Sequence, residues 1–578
     1  MARGVGQLGR RAFLGHGLGA LSAGLSLGAI GALGSRRAGA FPMAPGAWTP
    51  AGKCGPFLSL GDTPGASQVI GGLPYSPRWY GDDFSFANIP FHSCESCDSP
   101  PLASDTETDV IIIGGGISGL ATAHALRDQC KFVVLDLRPR LGGNAMGESW
   151  RGLNCSLGSA YFMVPDKGDE FDSFYKSLGV YDAARIDEGG GFKVEYGMRL
   201  IDDLAQGASP EQRLAFARYR AMVAHYANDA YPDIPLSNGP EVRDVLRLDQ
   251  SSFADHVTAG CGPLPPLVTQ AIQAYCYSSF GVGWQYLSAA AGWNFIAAEE
   301  WGRIVLPGGN AGLVKLMHDS MRHLDPAADS EPGMVFRAGC MATDVRIEGD
   351  RVRVQFRDQA GALHQLRGKH AVVATSKHIS RHFFPQMETL DREKWDLIPA
   401  VENMAYLVAN VLLTKRVALD FYDIFTVHDA QFPMDDEAFN LDRRVTDTLL
   451  GSFAVTSSAQ RDDILTMFWP LPWFTARFSV IGETDWRDYA SLGSGQIRRA
   501  LRILGLRDSD VAQVRLTRWG HAMPIAMPGQ ISSGLPQVIR RPVQDRVWFV
   551  NQDNWMLPAV ETCLSEAWEM AEEIVQRL

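Results

Sequence analysis

Asp109-Val-Ile-Ile-Ile-Gly-Gly-Gly-Ile-Ser-Gly119, running straight into Leu120-Ala-Thr-Ala-His-Ala-Leu126, is the stretch that decides the fold. Its apolar run ending at Ile113 has the character of a central parallel strand buried on both faces. The glycines that follow have separate tasks: Gly114 for a tight turn, Gly116 for close backbone approach to a pyrophosphate, Gly119 for close packing of helix on strand. The helix that opens there presents the amides of Ile117 and Ser118, and its positive dipole end, to a phosphate.

A glycine pattern alone is weak, but here its context is complete. Lys131-Phe-Val-Val-Leu135 reads as the second strand, and Asp136 ends it, 22 residues after Gly114. An acidic side chain at that place accepts hydrogen bonds from an adenosine ribose. The segment is therefore expected to bind an adenine dinucleotide.

The chain around it has 578 residues, 46% of them hydrophobic and 20% charged, enough for large cores and unlike a disordered chain. A net charge of −12 with no long basic stripe excludes a general nucleic-acid binder. Gly9-Arg10-Arg11-Ala12-Phe13-Leu14 resembles a twin-arginine export motif, followed by a weakly apolar Gly/Ala/Leu run and Ala38-Gly39-Ala40 as a cleavage site. Residues 1–40 are accordingly expected to be an export signal read by the twin-arginine machinery. The mature protein would be periplasmic or extracellular, without a stable membrane span; that run is too glycine-rich for a good spanning helix.

Which dinucleotide is bound follows from the next segment. Asp136-Leu-Arg-Pro-Arg140-Leu-Gly142-Gly143-Asn144 resembles the signature after the second strand in the flavin-containing amine oxidase superfamily, which includes carotenoid desaturases and protoporphyrinogen oxidase. The resemblance implies FAD, with Arg140 making a charge-assisted contact to the diphosphate and Gly142-Gly143 allowing close approach. Two departures stand out: Asp136 where glutamate is usual, and Asn144 where arginine is common, which removes one phosphate-side cation. Leu157-Gly158-Ser159-Ala160 resembles the family's segment beside the flavin ring, and Leu306-Pro-Gly-Gly-Asn-Ala-Gly-Leu313 its return into the FAD domain. His370-Ala-Val-Val-Ala-Thr375 resembles the strand that closes that domain's small sheet. Phe549-Val-Asn-Gln-Asp553 resembles the terminal Gly-Asp motif, with Gln552 in place of glycine and Asp553 reaching the ribityl or phosphate region. A helix beginning near Pro558 then aims its N-terminus at the flavin N1/C2 edge. A looser likeness is to bacterial spermidine dehydrogenases, through Gly-Gly-Asn-Ala and Arg518-Trp519-Gly520-His521.

The expected architecture is α/β: a discontinuous Rossmann-type FAD-binding domain with an α+β substrate domain, in the two-domain arrangement of monoamine oxidases. An irregular leader spans 41–104. The FAD domain takes 105–165, 300–385 and 515–578, and the substrate domain 166–299 and 386–514. The region from Pro165 to Ala298 reads as mostly helical, and strands are expected at Val352–Phe356 and Leu363–Leu366.

In such a protein the cofactor performs the redox step and the chain positions the substrate, a small molecule and by family resemblance an amine. No metal site is required. The family's lysine beside flavin N5 would fall near Ala409 or Asn410, on a strand over Ala405–Thr414, and is not there. A dehydrogenase is thus as open as an oxygen-using oxidase. No residue is assigned as catalytic. Trp519, Trp555 and Tyr161 are either flavin-facing or core aromatics, and His521 is either an acid/base group or a structural histidine. Cys94-Glu-Ser-Cys97 beside His92 reads as a loop disulfide or two thiols, and Asp435-Asp436-Glu437 as a solvated loop or an attractor of cations. The leading expectation is oxidation of an amine to an imine by hydride transfer to flavin; the alternatives are desaturation of a carbon–carbon bond and a non-catalytic FAD-binding subunit.

Overall fold

The computed structural model describes residues 54–82 and 102–578, except 189–192, 237–238, 240, 326–334, 418, 429–443, 456, 458, 472, 475–479 and 481–484. The twin-arginine segment, His92, Cys94, Cys97 and Asp435–Glu437 lie outside the described residues.

Val110–Ile113 is the centre of a five-stranded, wholly parallel sheet, in the order Phe336–Ala338, Phe132–Asp136, Val110–Ile113, His370–Val373, Val547–Phe549. Both faces are covered, as the apolar run required. Val110 and Ile112 pack with Leu120, Leu564 and Ala567 of the flanking helices Ile117–Leu126 and Val560–Val575. Ile111 and Ile113 join a second core with Val345, Val354 and Phe356, from the small sheet formed by Met341–Glu348, Arg351–Arg357, Leu363–Gly368 and Leu102–Glu107. His370–Val373, expected to close that small sheet, is instead a strand of the parallel sheet, in register with Val110–Ile113. Its four residues are all buried, which suits an inner parallel strand rather than a meander with an open face.

The other layer is a nine-stranded mixed sheet, in the order Arg199–Ile201, Lys193–Tyr196, Asp423–His428, Asp447–Leu450, Asp463–Pro470, Asn403–Leu413, Val511–Pro524, Leu73–Gly81, Gln68–Ile70. Helices Pro210–Asn228, Phe253–Cys261, Pro266–Phe280 and Ala289–Ala298 fill the expected helical region. Every residue of Asn403–Leu413 is buried.

Two expectations on boundaries fail here. The stretch read as an irregular leader contributes Phe57–Ser59, Gln68–Ile70, Leu73–Gly81 and Leu102–Glu107. Pro74 and Pro77 disguise the longest of these, but it pairs parallel to Val511–Pro524 with a register shift between Val514 and Leu516 that takes up the intervening residues. Residues 515–524, expected in the FAD domain, belong to this nine-stranded sheet: the 14-residue strand Val511–Pro524 pairs with Asn403–Leu413 as far as Pro524. The carbonyl of Ala522 on that strand accepts from Asn144 Nδ2 at 2.9 Å and Gln552 Nε2 at 3.0 Å, tying the layers together.

Candidate active site

At the carboxyl end of Val110–Ile113 the backbone turns at Gly114 with φ +111°, a conformation that L side chains rarely adopt. A Cβ on Gly119 would lie 1.8 Å from the Gly114 carbonyl oxygen, so this glycine is demanded by helix–strand packing; it stands behind the cavity wall, not in it. Gly116 differs. A Cβ there would meet nothing of the protein closer than Gly143 Cα at 3.7 Å. Protein packing does not explain that glycine, whereas a group lying against its backbone does. Gly116 also caps the helix Ile117–Leu126 with no side-chain hydrogen bond, leaving the first-turn amides toward the same space.

That space is one cavity of about 1520 Å³, and Gly114, Gly116, Ile117, Ser118, Asp136, Arg140, Gly142, Gly143, Asn144, Gly158, Ser159 and Asp553 all line it. The carboxylate of Asp136 accepts from the amides of Gly115 and Arg138, each at 2.7 Å. Burial pushes its pKa up, and the neighbouring Arg138 guanidinium opposes this. Arg140, expected at a diphosphate, donates through Nη1 to the carbonyls of Pro56 and Gly147, both at 2.9 Å, and so fastens the leader to the cradle. Ser159 accepts from Asn310 Nδ2. Asp553 accepts from the Lys377 amide at 2.9 Å. Beside it, the helix Val560–Val575 starts without a side-chain cap, and Ala559, Val560 and Glu561 line the cavity. The donor set fits a dinucleotide: uncapped amides and glycine backbone where phosphates need them, a buried carboxylate at the end of the second strand, and a second helix N-terminus at the far end.

Reading along the sequence missed the leader's part in this wall. Arg78, Trp79, Tyr80, Gly81 and Asp82 line the cavity. Asp82 pairs with Arg138, whose guanidinium lies 5.1 Å from the Trp519 ring centroid, and also accepts from the Gly520 amide at 2.9 Å. The aromatic content of Tyr75, Trp79 and Tyr80 was the signal available.

Where the cavity meets the nine-stranded sheet, its lining forms a chamber. Trp519 lines it and donates from Nε1 to the Leu157 carbonyl at 2.7 Å, against Gly158. Tyr161, Ser278, Tyr406, Asp447 and Phe468 complete its polar and aromatic wall. His521 also lines the cavity, its ring 5.7 Å from that of His378. Trp555 does not: its indole donates to Glu566 at 2.7 Å inside the core, the bland alternative of the two offered by its sequence position. Asn410 is buried and fully engaged, donating to the Ser156 carbonyl at 3.0 Å and accepting from Thr466 at 2.7 Å.

Tyr161 leads from the chamber to a buried charge cluster. Its hydroxyl and that of Tyr275 both donate to Glu299 at 2.9 Å, and the Arg303 guanidinium lies 4.9 Å from the Tyr161 ring centroid. Arg303 pairs with Asp187 and Asp423 and lies 3.6 Å from Glu299. Asp447, on the adjoining strand, has Ser278 Oγ at 3.4 Å. Its pKa is raised well above the carboxylate range, first by burial and then by the nearby Asp423, with Arg303 pulling the other way.

Residues 112–178 match the family model of the NAD(P)-binding Rossmann-like domain. Among curated proteins the chain is similar to a carotenoid 3,4-desaturase of Haloarcula japonica, 26% identical over 157 residues, which cover 25% of this chain and 32% of that protein. The chain thus matches about a third of the length of that relative. Among solved structures it is similar to a putrescine oxidase with putrescine bound, at TM-score 0.58 and 16% identity, covering 82% of this chain and 100% of the other. The cyclohexylamine oxidase of Brevibacterium oxydans aligns at TM-score 0.55 and 15% identity, over 81% of this chain and 99% of that one.

Proposed function

We propose that this chain, which belongs by fold to the flavin-containing amine oxidase superfamily, is an FAD-dependent oxidoreductase that converts an amine to an imine. The observation that carries this reading is a single cavity joining the glycine cradle to the chamber of Tyr161, Tyr406 and Asp447. Gly114, Gly116 and the amides of Ile117 and Ser118 would hold the diphosphate, Asp136 the adenosine ribose, and Asp553 with the helix Val560–Val575 the far end. When bound, FAD supplies a two-electron acceptor.

The chain's own contribution is enclosure and orientation. Trp519, Tyr406 and Phe468 give the chamber apolar walls that exclude water from the reacting carbon, while Ser278 and the Tyr161 hydroxyl give it polar anchors. The described lining contains no lysine, so electron transfer to an acceptor other than oxygen is as well supported as oxidase activity. The likeness to a carotenoid 3,4-desaturase favours a second reading, removal of hydrogen across a carbon–carbon bond. The likeness in fold to a putrescine oxidase and a cyclohexylamine oxidase favours the amine.

Anaerobic titration of the yellow holoprotein with an amine panel tests the reading. Bleaching of the flavin band with release of ammonia or aldehyde supports it. Bleaching by polyenes alone, with a new conjugated alkene as product, assigns the second reading. We further propose that the protein is exported by the twin-arginine route. Replacing Arg10-Arg11 by two lysines should then hold it in the cytoplasm, as fractionation of expressing cells would report.

A further inference from the structure

Two lysines are buried behind the cofactor cavity, Lys377 at 1% and Lys394 at 0% exposure. Their partners differ. Lys394 Nζ donates to the carbonyls of Ile539, at 3.2 Å, and Arg541, at the C-terminal end of the helix Leu535–Arg540. A cation there satisfies carbonyls that the helix leaves orphaned, so the fold explains it.

Lys377 has no such explanation. Its Nζ donates to two side-chain amides, Asn551 Oδ1 at 3.2 Å and Asn554 Oδ1, and to no carboxylate. The two carboxylates that act on it are engaged elsewhere. Asp553 accepts from the Lys377 backbone amide at 2.9 Å, and Glu566 takes Arg540, Asn554 and the indole of Trp555. A buried charge met only by neutral amides carries a desolvation cost that an apolar side chain would avoid.

The ammonium joins two stretches of the cavity wall. Strands His370–Val373 and Val547–Phe549 are parallel neighbours, and beyond their carboxyl ends Thr375, Ser376, Asn551 and Asp553 line the cavity. Lys377 follows the first stretch and holds the second three times, through its amide on Asp553 and its Nζ on Asn551 and Asn554. Asn551 closes the ring by donating to the Thr375 carbonyl at 2.7 Å. The carboxyl ends of such strands are where a doubly wound sheet meets its ligand. A dinucleotide brings a negatively charged diphosphate into this cavity, an anion not yet engaged with a cation.

Resting on the FAD site proposed above, we infer that Lys377 is a positioning residue for the cofactor: from behind the wall its ammonium fixes residues 551–554 in the shape that receives FAD and offsets the charge that FAD brings. Lys377 is absent from the cavity lining and acts through Asn551, Asp553 and Asn554.

The proton on Lys377 makes this measurable. Burial lowers its pKa to about 8; Asp553 and Glu566 oppose the shift, and Arg540 adds to it. Lys394 is the other cation beside it. Above pH 8 the flavin-free protein must regain a proton in order to bind, so affinity should fall with rising pH.

Dilution of the holoprotein at pH 7 and pH 9, read by the fluorescence of released FAD, tests the inference. Wild type should hold FAD about tenfold more weakly at pH 9. Lys377→Met should lose about 10- to 100-fold at pH 7, the worth of hydrogen bonds from a charged group, and show no further fall toward pH 9. Lys377→Arg stays charged at both pH values, so it should recover part of the affinity and also show no fall. Equal wild-type affinity at the two pH values would overturn the inference whether or not the variants fold. So would a fall that persists in folded Lys377→Met or Lys377→Arg, or a Lys377→Met protein that binds as tightly as wild type at pH 7. Wild-type protein that takes up no FAD at either pH refutes the FAD site itself, and the inference with it. FAD held with the same affinity throughout removes only the role of Lys377.

Discussion

The cradle and the chamber are two ends of one cavity, yet they are built by opposite means. Most of the cradle comes from one local run, residues 114–144, in which backbone geometry does the work: a turn at Gly114, a helix packed at Gly119, open space at Gly116. The chamber is assembled from side chains hundreds of residues apart: Tyr406, Asp447 and Trp519 from three strands of the nine-stranded sheet, Ser278 from the helix Pro266–Phe280, and Tyr161 from outside both. A motif can therefore announce a cofactor while the substrate specificity of the same protein stays dispersed.

The sharpest way to break the comparison is to remove the chamber's counter-charge. Arg303 is buried between Asp187 and Asp423, so Arg303→Met leaves uncompensated acids and should cost about 3–5 kcal/mol of stability. A chemical-denaturation curve would show it; a loss under 1 kcal/mol would mean the acids are neutral in the fold. On the cradle side, Gly119→Ala places a methyl group 1.8 Å from the Gly114 carbonyl oxygen and should cost about 1–3 kcal/mol through forced backbone shifts. Gly116→Ala sharpens the contrast. Its Cβ meets the protein only at ordinary contact distance, so the melting temperature of flavin-free protein should hold. FAD affinity should nevertheless fall roughly tenfold or more, about 1.4 kcal/mol, as the methyl occupies the ligand's approach. Equal losses in both glycine variants would make Gly116 a packing glycine as well.

These expectations mirror what was legible in the sequence. The parallel strand, the glycines, Asp136 and the segment around Gly158 all carry constraints that act over a few residues, and the structure places all but Gly119 of the named cofactor residues in the cavity wall. Leu73–Gly81 was not legible because two prolines interrupt it and its longer pairing is with a strand more than 400 residues away, beside a short local one with Gln68–Ile70. Asp447 sits in Thr446-Asp447-Thr448-Leu449, a polar stretch with no strand alternation, and it is buried by pairing with Phe425 on one side and Phe468 on the other. Trp555 lay open between flavin and core in the sequence, and Glu566, on the following helix, takes its indole into the core.

The smallest effect expected concerns the stability of the chamber itself. Asp447 has its pKa raised in the folded protein, from an ordinary value of 3.8, by burial and by Asp423. A raised acid binds its proton more tightly when folded, so its contribution to stability is fully present below the unfolded value and is lost as pH rises through the folded one. Keeping an acid buried at this position is thus a cost at neutral pH. Asp447→Asn removes the cost, and should melt higher than wild type at pH 8, with the difference shrinking toward zero as pH falls to about 4. A buried carboxylate that destabilises its own fold is the expected signature of a residue kept for function. An Asp447→Asn protein that melts lower than wild type at pH 8 would show instead that the carboxylate is satisfied where it stands, and the chamber would then be as self-contained as the packing around Gly119.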